Sequence, residues 1–185
     1  IQNYLADQIT VPRFSTELPE FVEAEKAVQA RIDHLMGIKG KESVDSIHKK
    51  LGHIMWEYVG MGRTEEGLKT ALKLLKEIRQ EFETNLFIPG STEGVNIELE
   101  KALRLNDFIT MGELIAYDAL NRNESCGGHF REEYQTEEGE AKRDDENYFY
   151  VSCWEYQGSD DVAPVLYKEP LVYEAIKVQT RNYKS

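Results

Sequence analysis

Residues 95–122 constrain the fold more than any other stretch of this chain. Their apolar positions are Leu99, Ala102, Leu103, Leu105, Phe108, Ile109, Met111, Leu114, Ile115, Ala116, Ala119 and Leu120. The spacing is helical, but the apolar residues cover more than one face. A helix that is apolar on several sides is expected to be packed on several sides, so 95–122 reads as the central helix of a bundle. Three shorter stripes precede it. Phe21, Ala24, Val28, Ile32 and Leu35 recur every three or four residues between Pro19 and Met36. Pro19 suits a first turn, where its missing N–H costs nothing, and the helix dipole favours His34 in the last. Val44, Ile47, Leu51, Ile54, Met55 and Tyr58 follow a Ser43 N-cap; Leu68, Ala71, Leu72, Leu75, Ile78 and Phe82 follow a Thr64 N-cap. Glycine-bearing joints separate these segments. Residues 1–16, interrupted by Pro12, show little periodicity. The expectation is a mainly α chain, with a three- to four-helix antiparallel bundle over 1–122 and a tail over 123–185.

The tail differs in kind. Residues 123–150 carry nine acids and three bases, a net of −6, half of the chain's formal −12. The acidic balance argues against a nucleic-acid partner, which needs a basic stripe, and against adsorption to an anionic membrane surface. No apolar run reaches the roughly 18–20 residues needed to span a bilayer. After the acidic segment, 148–156 is aromatic and β-branched, 157–161 is a turn, and 162–170 is again extended in character. This predicts a short β-hairpin, with Pro164 at the start or edge of its second strand. The chain opens on Ile1 without a signal-peptide pattern, and is expected to be a piece of something longer. Cys126 and Cys153 are expected as free thiols.

Candidate chemistry is sparse. His48 and His53 lie five apart on one helix, about 140° around its axis, so they cannot share a metal as an i, i+4 pair does. Cys126, His129 and Cys153 lack the paired short spacings of a structural zinc site. A Cys126–His129 nucleophile pair would sit in acidic surroundings that oppose thiolate formation. The acids between Glu132 and Glu140 lack the alternation and central glycine of a calcium loop. Gly127 and Gly128 follow no strand, so a helix C-cap is expected of them and not a phosphate cradle. No catalytic, cofactor-binding or metal-ligating set emerges.

The stretch Glu124-Ser125-Cys126-Gly127-Gly128-His129-Phe130-Arg131, with Tyr134 and then Arg143-Asp144-Asp145-Glu146-Asn147-Tyr148, resembles the C-terminal signature of the flavoprotein subunit of succinate dehydrogenase and fumarate reductase, of bacterial type. Arg63 to Leu68, the helix entering the signature and 165–170 agree with that family. Departures are Cys126 for the usual arginine, Glu133 for aspartate, Gln135 for proline, and an apparent insertion over 136–142. The resemblance implies the helical C-terminal domain of an FAD-dependent oxidoreductase interconverting succinate and fumarate. The FAD and the catalytic residues would belong to preceding domains, and none to this piece. Implied partners are that flavin domain, an iron–sulfur subunit and a membrane anchor, at the cytoplasmic face of the inner membrane. His129, Arg131, Arg143, Asp144, Asp145, Gly127 and Gly128 are then candidates for a structural joint or domain interface. Two alternatives remain: a free-standing acidic helical interaction module, and the C-terminal region of an L-aspartate oxidase-like flavoenzyme. Apolar surface meant for an absent domain would be left exposed.

Overall fold

The structure is a computed structural model describing residues 1–8, 14–158 and 162–179. Pro12 and the tip of the turn after Gly158 lie outside the described residues. In chain order the elements are α1 (Gln2–Gln8), α2 (Pro19–Gly37), β1 (Glu42–Ser43), α3 (Val44–Val59), α4 (Glu65–Asn85), β2 (Leu86–Phe87), α5 (Ile97–Asn121), α6 (Asp145–Tyr148), β3 (Tyr150–Glu155) and β4 (Val165–Pro170). The chain is mainly α with a short hairpin tail, as its periodicity predicts.

The caps sit where the sequence puts them. Ser43 Oγ accepts from Ser46 N at 3.2 Å, and Thr64 Oγ1 from Gly67 N at 3.0 Å. Each satisfies one of the orphan N–H groups of a first helical turn. For α5 the cap is Asn96, whose side chain accepts from Leu99 N at 3.1 Å, so the helix starts two residues later than its hydrophobic pattern. The core lies among α3, α4 and α5. Ile47, Leu68, Ala71, Leu75, Phe82, Leu105 and Ile109 are fully buried there. Burying a large aliphatic or aromatic side chain contributes about 1.5–3 kcal/mol, and these positions interdigitate along all three helices.

Packing departs from the expectation in two places. The α2 stripe does not join the core: only Leu35 is buried, while Phe21 is 51 % and Val28 60 % exposed. Just its C-terminal end packs, with Ile32 and Met36 against the core. As expected of a central helix, α5 packs against α2, α3 and α4, yet one stripe stays partly exposed. Leu99, Ala102, Leu105, Ile109, Ala116 and Ala119 are buried, but Phe108 is 46 %, Met111 52 % and Ile115 43 % exposed. Periodicity reports which faces are apolar, and it cannot report whether a neighbour covers them.

Four small elements carried no readable signal. α1 and α6 are too short for a periodic pattern. β1 and β2 form a two-residue parallel pair, Glu42 with Leu86 and Ser43 with Phe87. They stitch the α2–α3 connection to the end of α4. Gly40 N donates to Leu86 O at 3.0 Å, and Lys41 N to Asn85 O at 2.9 Å. A Cβ on Gly40 would lie 1.9 Å from Asn85 O, so this approach excludes every other residue. The hairpin is antiparallel, with Cys153 opposite Tyr167 and Trp154 opposite Leu166. Pro164 directly precedes β4. Trp154 anchors the hairpin on α5: its indole N–H donates to Asp118 Oδ1 at 2.8 Å, and its ring meets Tyr117 edge to face at 5.0 Å.

Candidate functional site

Three helix ends meet beneath residues 122–134. The C-terminus of α3, the N-terminus of α4 and the C-terminus of α5 each leave backbone groups without helical partners, and side chains of opposite charge satisfy all three. Arg63 Nε donates to Val59 O at 3.0 Å and Gly60 O at 3.1 Å, closing α3. Glu133 Oε1 accepts from Glu65 N at 2.5 Å at the start of α4. Arg131 Nη1 donates to Ala119 O at 3.0 Å and Leu120 O at 3.4 Å at the end of α5. Cations thus stand at two C-termini and an anion at the N-terminus, the arrangement the helix dipole favours.

Arg131 is the largest fully buried side chain of the described residues. Its Nε reaches Glu133 Oε2 at 3.1 Å and its guanidinium lies 5.4 Å from the Tyr134 ring centroid. Its backbone is fixed as well. Arg131 N donates to Ser125 Oγ at 2.8 Å, while that hydroxyl lies 3.0 Å from Arg131 O. Burial drives the Glu133 carboxyl up, but the Glu65 N–H and the charge of Arg131 outweigh it and hold the group below its ordinary range. Backbone pairing completes the seam, with Arg63 N donating to Phe130 O at 3.0 Å and Glu132 N to Arg63 O at 2.8 Å.

His129 bridges two of these ends. Its Nε2 lies 3.0 Å from Arg122 O, a group that can only accept, so Nε2 carries the proton. Nδ1 then accepts from Arg63 Nη1 at 2.8 Å. Burial lowers the imidazole's proton affinity first. The neighbouring Arg63, Arg131 and Arg122 lower it further, against the upward pull of the Arg122 carbonyl. The ring is held neutral. With both nitrogens engaged it cannot activate Cys126, which faces it only through backbone bonds of 2.8 and 3.0 Å.

Those backbone bonds correct the reading of the glycines. α5 ends at Asn121 with Arg122 as C-cap, before the glycines are reached. Gly127 and Gly128 instead form the tip of a tight turn closed by Cys126 and His129. Gly127 has φ +59°, the left-handed value that excludes most side chains. An added Cβ at either glycine would meet nothing within 4 Å. With no wall among the described residues close to either glycine, the turn does not form the cradle that the pyrophosphate of a dinucleotide such as FAD requires.

The second half of the signature fixes the tail. Arg143 reaches Asp145 Oδ1 at 2.5 Å and Gln179 O at 3.2 Å. Asp144 does not join this pair. Its side chain caps α6, accepting from Asn147 N at 3.2 Å, while its own N–H donates to Glu124 Oε2 at 2.9 Å. Arg122 and Glu124 are the members that sequence reasoning missed. Arg122 Nη1 meets Glu124 Oε1 at 2.6 Å and Tyr148 O at 3.1 Å, and Nη2 meets Tyr150 O at 3.0 Å. Its guanidinium also lies over the Tyr148 and Tyr150 rings. Glu124 and Arg63 stood within the quoted motifs, so their roles were within reach; nothing in the local pattern marks Arg122.

Residues 135–141 close on themselves through a Gln135–Ala141 bridge, with Gly139 at φ +79°. Among the described residues no group of three or more potential ligands gathers around a metal-sized point, and no helix is long and apolar enough to cross a membrane.

The fold and junction define a mainly helical domain whose helix ends are tied together by residues 122–134. Residues 48–183 match the family described as fumarate reductase flavoprotein C-term, and the chain belongs to that family. The fumarate reductase flavoprotein subunit of Helicobacter pylori is 30 % identical over 146 residues, 79 % of this chain and 20 % of its own length. L-aspartate oxidase 2-b of Nicotiana tabacum is 37 % identical over 88 residues, 48 % of this chain and 13 % of its own. Among solved structures, a quinol-fumarate reductase with menaquinol molecules superposes with TM-score 0.72 at 24 % identity, over 95 % of this chain and 29 % of its own. The chain spans about a fifth of the length of the first curated relatives it matches.

Proposed function

We propose that this chain is the supporting C-terminal part of an FAD-dependent oxidoreductase that interconverts succinate and fumarate. On this reading 1–122 is a buttress and 123–185 the tail that locks it. The flavin and the catalytic residues belong to the remainder of the protein, and this part alone turns nothing over. Electrons would pass to an iron–sulfur subunit and through a membrane anchor to quinone, with the assembly at the cytoplasmic face of the inner membrane. One observation carries the reading: His129, Arg131, Arg143 and Asp145 are all committed to bonds inside the chain, while the apolar stripe Phe108, Met111 and Ile115 of α5 stays about half exposed among the described residues. The signature residues therefore set the shape of a surface made to be covered.

The test is Arg131→Ala or His129→Ala in the full-length flavoprotein. Expected are weakened association of the helical part, partial loss of flavin and reduced complex assembly. A variant that assembles with full flavin content and lacks only turnover would overturn the proposal. The tobacco relative favours a second reading, an L-aspartate oxidase-like enzyme. Supplying the full-length protein with succinate, fumarate or L-aspartate separates the two.

A further inference from the structure

Three of the four arginines around the junction have a carboxylate partner: Arg122 with Glu124, Arg131 with Glu133, and Arg143 with Asp145. Arg63 has none among the described residues. Its Nε and Nη1 are used by two carbonyls and by His129, and no described group bonds Nη2. The side chain is half-buried and lines a cleft of about 460 Å³ between α5 and β3, walled by Leu114, Ile115, Val151 and Trp154. Asp118 lines the same cleft and its charge acts favourably on Arg63, but its Oδ1 accepts the Trp154 indole N–H and it forms no direct ion pair with the guanidinium. Ile115, at the cleft wall, belongs to the same helical stripe of α5 as the partly exposed Phe108 and Met111.

Arg63 is half-buried with no hydrogen-bonded carboxylate, and Asp118 compensates its charge only from a distance, so the free edge of the guanidinium still favours an anion. Arg122 and Arg131 add to the positive potential, and neutral His129 supplies no charge of its own. We infer that Arg63 receives a carboxylate side chain from the flavin-bearing part of the same protein, with apolar residues flanking that carboxylate seated along the α5 stripe. Charge complementarity favours this occupant. The free edge of the guanidinium takes a carboxylate in a charge-assisted bond, and an aromatic and aliphatic surround excludes water from the pair. This rests on the proposed function, since it supposes that a flavin-bearing part docks here.

The experiment uses the full-length flavoprotein. In Arg63→Lys the introduced amine keeps the charge, and a carbodiimide joins it to any carboxylate it touches without a spacer. Mass spectrometry of the digest is expected to find position 63 coupled to an acidic residue outside residues 1–185. Coupling only to Asp118 or another acid of this chain, or none, overturns the inference. The wild-type protein gives a check free of any folding defect. Phenylglyoxal should spare Arg63 while modifying Arg104, whose side chain is 69 % exposed; equal modification overturns the inference. Oxidative labelling separates its failure from that of the function. Met111 protected beyond what its 52 % exposure against 91 % for Met61 gives, with Arg63 modified, means that docking occurs without the carboxylate. Met111 oxidised as readily as that exposure gives removes both.

Discussion

Between α3, α4 and α5 the fully buried side chains are aliphatic or aromatic, Ile47, Leu68, Leu75, Phe82 and Ile109 among them. Beneath residues 122–134 they are Glu124, Ser125 and Arg131. The core is held by area removed from water, which is indifferent to direction. The junction is held by charges aimed at particular carbonyls and N–H groups within about 3.5 Å. The first tolerates substitutions that preserve volume, and the second tolerates none that change where its donors point. Cohesion by directed charge suits a joint that must fix helix ends in one geometry for a neighbour to recognise.

The largest expected effect tests the junction. Arg131→Met keeps much of the side chain's bulk but leaves Ala119 O and Leu120 O without their side-chain donor, and Glu133 with the Glu65 N–H but no guanidinium. Leaving a buried acceptor unsatisfied costs about 1–3 kcal/mol, and two carbonyls lose a donor here, while Glu133, whose side chain is 38 % exposed, is largely compensated by water. The loss is read as a shift of the urea midpoint at constant slope. Arg131→Lys is expected to recover little, because an ammonium cannot reproduce the guanidinium's fork toward α5 and Glu133 together. A lysine variant of near wild-type stability would reduce the junction to simple charge balance and erase the contrast with the core.

The core side of the comparison comes next. Leu75→Ala should cost about 2–5 kcal/mol by transfer and cavity formation, and Leu75→Met less than about 1.5 kcal/mol. Opposite responses to conservative exchange at Leu75 and Arg131 are the sharpest form of the contrast.

His129 gives the third effect. Its folded-state proton affinity lies below the ordinary value near 6.5. The unfolded chain therefore takes up a proton that the folded chain refuses. Stability from this group is fully present above about pH 6.5 and falls as the pH drops below it. One such proton gives a slope of at most about 1.4 kcal/mol per pH unit. Glu133, held below its ordinary range, loses its contribution only at lower pH, so the interval from about pH 5 to 6.5 isolates the histidine. Denaturant melts across that interval should show the slope in the wild type and a flatter profile in His129→Gln. An unchanged slope would mean that the ring is not held between Arg63 and the Arg122 carbonyl.

This difference in cohesion also decides what the sequence discloses. The stripes of α3 and α4, their Ser43 and Thr64 caps and the hairpin were legible because each depends on residues a few positions apart. The junction was visible only as a family motif. Its partners are distant in the chain: Arg63 meets His129, Glu133 meets Glu65, and Arg131 meets Ala119. No local period encodes such pairs, so Gly127 and Gly128 read as a helix stop when Arg122 already ends α5. The exposed faces of α2 and α5 escaped for a different reason. Apolar spacing is the same whether the covering neighbour lies within these residues or beyond them.

The smallest expected effect on stability bears on that open face. Ile115→Ser lies on α5 beside buried Ala116, yet its side chain is partly in water already. A surface substitution away from buried networks changes stability by about 0.5 kcal/mol or less, far below the loss expected at Leu75 one core layer away. In the full-length flavoprotein the same substitution removes an apolar contact from the proposed docking stripe. Flavin retention and association of the helical part should fall although the urea midpoint of this chain barely moves. If Ile115→Ser destabilises the chain as much as Leu75→Ala, the outer face of α5 is already part of the core. A variant silent in both measurements would mean that the face is covered by nothing, and the distinction between a self-contained core and a surface awaiting a neighbour would fail at the helix that carries both.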